Sequence, residues 1–102
     1  MEVSESFVFE GELWEWQGKA SWCFVSLPEQ VTDEIDAQYG HRAAGFGSIR
    51  VEVTTGSTMW CTSVFPDSKR ATLILPVKKD VRRREGLDIG AAARFELRIV
   101  LD

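Results

Sequence analysis

The chain has 102 residues, 44% of them hydrophobic and 27% charged, with eleven aromatics, three prolines and a formal net charge of −4. This length and make-up describe one globular domain that buries about 60–70% of its unfolded surface, and they exclude a disordered, collagen-like or disulfide-framed chain. The longest apolar run is Trp22-Cys23-Phe24-Val25, and Met1-Glu2-Val3-Ser4-Glu5 has neither a basic nor an apolar stretch. No secretion signal and no membrane span is therefore expected, and the cytoplasm is the expected compartment.

The first strand is expected from Ser6 to Trp16. Phe7, Phe9 and Leu13 share one parity, and Val8, Glu10, Glu12, Trp14 and Trp16 the other, so the odd face should meet the core. Gln17-Gly18-Lys19 reads as a turn, and residues 20–27 as a nearly continuous apolar strand in a central position. Pro28 ends that strand and opens a helix from Glu29 to Tyr39. There Val31, Ile35 and Tyr39 recur at four-residue spacing, Glu29, Asp33 and Glu34 load the early turns, and Gly40 caps the end.

Residues 41–47 read as a loop. Ile49, Val51 and Val53 then alternate with Arg50, Glu52 and Thr54 in a half-buried strand, and Thr55-Gly56-Ser57 turns into another at Thr58 to Phe65. Pro66-Asp67-Ser68 is a turn, Arg70 to Leu75 a fifth strand, and Pro76 its exit. Val77 to Glu85 is a second helix, with Val77 and Val81 on one face and Gly86 at its end. Ala92 to Leu101 is the last strand.

The two halves repeat one order: strand, strand ending in Leu-Pro, short helix, glycine, strand. FVSLPEQVTDEI at 24–35 parallels TLILPVKKDVRR at 72–83, although the apolar helix positions fall three and seven residues after Pro28 but one and five after Pro76. The duplication is architectural rather than a clean repeat. The expected fold is mainly β, of the α+β class. It is one domain over 1–102 with its core at about 6–101, a pseudo-β-barrel of two strand-strand-helix-strand halves (about 6–54 and 58–101) with a short helix plugging each end.

The charge is uneven. Residues 1–40 hold nine acids and one base, whereas residues 41–102 hold seven acids and eleven bases. Lys69, Arg70, Lys78, Lys79, Arg82, Arg83 and Arg84 form a basic run broken only by Asp67 and Asp80. It reads either as a phosphate-contacting patch or as a solvated helix face in which Asp80 pairs with Arg83 and Arg84. Asparagine is absent and the three glutamines lie far from this stretch, so nucleic-acid binding through it would carry weak sequence preference.

Few residues suggest chemistry. Cys23 and Cys61 lie within apolar runs and read as buried reduced thiols, and no Cys or His spacing suits a metal, so neither metal nor cofactor is expected. His41, the single imidazole, reads as a surface residue. Gly45-Phe46-Gly47 precedes a strand, whereas a phosphate-cradling loop opens a helix. Glu10 and Glu12 project from one strand face beside Trp14 and Trp16. That pattern suits a solvated strand face, a pocket for a cationic or sugar-like ligand, or an acid–base pair.

The segments WCFVSLP (22–28), IRVEV (49–53), WCTSVFP (60–66) and LILPVKKDVRRREGLDIG (73–90) resemble the bacterial domain-of-unknown-function family 1905, over about Phe7 to Leu101. The resemblance implies a double-split β-barrel. The Leu-Pro, helix, Gly-Leu-x-x-Gly segment is also similar to the half-barrel of AbrB/MazE-like swapped-hairpin transcription factors. In both groups an acidic residue commonly follows the last glycine, whereas here the pair is Gly90-Ala91, so the turn chemistry of that motif is altered, although a turn can be closed by backbone geometry alone. Those relatives assemble the barrel from two chains; this chain carries both halves, and a monomer is expected.

The resemblance implies no activity that can be carried over residue by residue. The expected role is a non-enzymatic binding or accessory domain for a ligand or protein partner, using Trp14, Trp16, Trp60, Glu10 and Glu12 or the basic second helix. Nucleic-acid binding and a small enzyme using Glu10 or Glu12 are the alternatives.

Overall fold

The computed structural model describes residues 1–17 and 22–102; the expected turn at Gln17-Gly18-Lys19 and the start of the second strand thus lie largely outside the described residues. Alternation of apolar and polar side chains builds the first strand, β1 (Val3–Glu15), with Phe7, Phe9 and Leu13 inside and Val8, Glu10 and Glu12 outside. It starts earlier than the parity suggests because Val3 pairs with Val100 across a bulge. At that bulge the Ser4 hydroxyl accepts the Ile99 amide at 2.9 Å, in place of a backbone carbonyl.

The chain continues through β2 (Cys23–Ser26), α1 (Glu29–Tyr39), β3 (Ile49–Thr55), β4 (Thr58–Asp67), β5 (Thr72–Pro76), α2 (Lys79–Glu85) and β6 (Ala92–Val100). The strands close a barrel in the order β1-β2-β5-β4-β3-β6, every neighbour antiparallel. Exchanging the two halves regenerates this cyclic order. Residues 26 and 74 face each other, as do 51 and 99; both pairs are 48 positions apart, the spacing of the two Leu-Pro steps at 27–28 and 75–76. The duplicated half-barrels are therefore related by a pseudo-twofold axis, as the repeated element order predicts.

Because β2 and β5 are antiparallel and each leads into its helix, α1 and α2 lie at opposite ends of the barrel. Ile35 from α1 and Val81 from α2 are buried with the strand residues, where Phe9 stacks on Phe95 at 5.7 Å between centroids. Each such side chain contributes about 1.5–3 kcal/mol of burial energy.

Several boundaries differ from the sequence reading. The second helix begins at Lys79 rather than Val77, because the Val77 amide still bonds to the Cys23 carbonyl, at 2.9 Å. Gly40 stays right-handed (φ −57) and passes the chain into a 3-10 turn instead of reversing it, whereas Gly86 is left-handed (φ 63) and ends α2 with the Leu87 amide on the Arg82 carbonyl. The Gly90-Ala91 turn is closed by main-chain bonds. The Ala91 amide donates to Asp88, and the Gly90 amide and Ala91 carbonyl bond to the two backbone groups of Leu13.

Both cysteines are free, but only Cys23 is buried; Cys61 is exposed, contrary to expectation. In β4 the neighbouring Trp60 takes the inward position opposite Val53, so strand parity turns Cys61 outward.

Candidate functional site: an aromatic cleft in the barrel split

Strand β4 pairs with β3 along Thr58–Val64 but meets β5 only at Phe65, Pro66 and Asp67. Back from Phe65 toward Trp60 it leaves β5, and the start of α2 stands opposite. The resulting cleft has a volume of about 540 Å³. Trp22, Phe24, Trp60 and Phe65 supply aromatic walls, and Lys78, Lys79 and Arg82 supply the α2 side. No carboxylate is among its described lining residues, although the chain as a whole is acidic. Arg82 is held in place by its Nε, which donates to the Val77 carbonyl at 3.1 Å.

A second hollow, between Trp16, Trp22, Phe24, Phe65 and Ile74, adjoins the cleft on the outer face of the sheet. Behind the shared Phe24, aromatic rings stack in a cluster: Trp14 lies 5.2 Å and Trp16 5.4 Å from Phe24, and the two tryptophans 5.9 Å from each other. Trp14 is fixed further by its Nε1, which donates to the Ser26 hydroxyl at 3.0 Å, and by the Arg70 guanidinium over its ring. The Arg70 hydrogen bond, foremost, holds the Asp67 carboxyl below its ordinary range, helped by the Lys69 amide.

The structure sorts the sequence candidates. Trp14 and Trp16 sit together in the stacked cluster, and Trp60, only 7% exposed, forms the inner cleft wall. Glu10 and Glu12 do point out from one face of β1, but along the stretch paired with β6, opposite Arg94 and Ala92, and neither lines the cleft or the adjoining hollow. The basic run is divided: Lys69 and Arg70 follow β4 ahead of β5, whereas Lys78, Lys79, Arg82, Arg83 and Arg84 follow β5 at its other end. The internal pairing expected for α2 is not formed, since the described ion pairs are Arg70–Asp67 and Arg98–Glu96, and Asp80 meets neither Arg83 nor Arg84. His41 is exposed in the 3-10 turn after α1. Among the described residues no group of three or more His, Cys, Asp and Glu side chains is placed to hold a metal ion, and no helix is long and apolar enough to cross a membrane.

Trp22, Phe24 and Phe65 escaped the sequence reading. Residues 20–27 look buried throughout, yet a barrel wall has one inner face. Cys23, Val25 and Leu27 occupy it, leaving Trp22, 54% exposed, and half-buried Phe24 outside. The alternation of 22, 24 and 26 against 23, 25 and 27 was the available signal.

No curated protein matches this sequence. The family model described as domain of unknown function (DUF1905) matches residues 9–97, most of the chain, and the protein belongs to that family.

Proposed function

We propose that this is a non-enzymatic binding domain that takes a small molecule into the cleft between β4 and α2. The observation that carries the reading is the cleft itself: about 540 Å³ of space, within the range of small-molecule sites, walled by aromatic rings and bordered by charged side chains. The strands around it form one closed barrel and both halves come from one chain, which supports a monomer. A thermal-shift screen of metabolites tests the reading. Hits are expected to raise the melting temperature of the native chain and to lose that effect in Phe65→Ala. A screen without hits, or hits indifferent to Phe65, overturns it.

A second reading, weakly sequence-specific nucleic-acid binding, is favoured by the exposed Arg83 and Arg84 of α2, neither of which is in a described ion pair. Labelled duplex DNA titrated at two salt concentrations separates the readings. Binding that weakens steeply with salt and vanishes in the Arg82/Arg83/Arg84 triple alanine supports nucleic acid, and no binding at low salt removes it.

A further inference from the structure

We infer that the ligand class of the cleft is a flat aromatic molecule carrying an anionic group. The inference rests on the proposed binding function and adds the chemistry of the occupant. Three observations converge on it.

The first is shape and surface. Phe24 from β2, Trp22 just ahead of that strand, and Trp60 and Phe65 from β4 line one cleft, so a planar ring system gains stacking and edge contacts on more than one side. The second is charge. Lys78, Lys79 and Arg82 line the same cleft without a carboxylate among the described lining residues, in a chain of net charge −4. Positive potential is focused there against the sign of the whole molecule, which selects an anion and disfavours a cation.

The third is rigidity. Phe24 is backed by Trp14 and Trp16, Trp14 is clamped by Ser26 and Arg70, and the Arg82 side chain is tied to Val77. One aromatic wall residue, Phe24, and one cation, Arg82, are thus in place before a ligand arrives, which lowers the ordering cost of binding. The ring occupies the aromatic part of the cleft and its anionic group faces the α2 cations.

Isothermal titration of the full chain with naphthalene-2-sulfonate, naphthalene-2-methanol, naphthalene-2-methylamine and sodium sulfate tests this. The sulfonate should bind about tenfold more tightly than the neutral alcohol, and the ammonium compound more weakly than both. In the Lys78→Ala/Lys79→Ala double variant, whose exposed side chains make melting a usable fold control, the gap between sulfonate and alcohol should close. Equal binding of sulfonate and alcohol overturns the anionic assignment while leaving the cleft as a binding site. Sulfate binding as tightly as the sulfonate overturns the aromatic assignment. If no naphthalene compound binds or shields Cys61 from thiol reagents, the small-molecule reading itself falls along with the inference.

Discussion

The guanidinium carbon of Arg70 lies 3.7 Å from the centre of the Trp14 ring. The same guanidinium reaches the Asp67 carboxylate at 2.7 Å, so the β4–β5 turn is pinned to the aromatic cluster through one side chain. Removing it by Arg70→Ala is expected to cost about 0.5–1 kcal/mol, since Arg70 is partly exposed, and to alter tryptophan fluorescence. Unchanged emission in Arg70→Ala would show that the contact does not persist in solution.

The Asp67 carboxyl is held below its ordinary value of 3.8, mainly by the Arg70 hydrogen bond. A group with a depressed folded-state value contributes stability that is fully present above its unfolded value and is lost as pH falls through the folded one. Acid titration should therefore show a loss beginning below about pH 4 that is missing in Asp67→Asn. Identical melting-temperature profiles for the two proteins below that pH contradict this assignment.

Gly11 stands on the inner face of β1 between Phe9 and Leu13, where a Cβ would collide with Cγ1 of Val25. The missing side chain is what lets β2 pack against β1. Gly11→Ala should destabilise the fold by about 1–3 kcal/mol, as overpacking does, measurable by urea unfolding. A neutral outcome would mean that Val25 has room to turn aside.

Glu85, in the last turn of α2, accepts a 2.6 Å hydrogen bond from the Thr58 hydroxyl at the β3–β4 hairpin. It ties the helix that borders the cleft to the strand opposite. Glu85→Ala should cost about 1.5 kcal/mol, with Glu85→Gln costing less, since the amide oxygen still accepts. Equal losses in both variants would assign the effect to charge rather than to the hydrogen bond.

Cys61 is exposed and Cys23 buried, so a thiol reagent such as dithionitrobenzoate should titrate one thiol in the native chain and two in denaturant. Cys61→Ser should abolish the native reaction. Two thiols reacting at the same rate in the native state would contradict the placement of Cys23.

Local features were legible along the chain. Strand parity put Phe7, Phe9 and Leu13 inside, the glycine after Glu85 ended α2, and the repeated Leu-Pro steps announced two equivalent halves. These are readable because a strand repeats every second residue and a helix terminus is decided within one turn. Tertiary structure alone decided the site. Whether Trp22 and Phe24 face water depends on β2 having a single buried face in a closed wall, and whether Cys61 is exposed depends on which neighbour in β4 meets Val53. The cleft exists because β4 keeps its pairing with β3 while parting from β5, and the basic run is divided because β5 lies between its two ends. Such outcomes follow from barrel closure and strand register, contacts between residues far apart in the chain; alternation along β2 separates 22, 24 and 26 from 23, 25 and 27 but does not say which set meets the core.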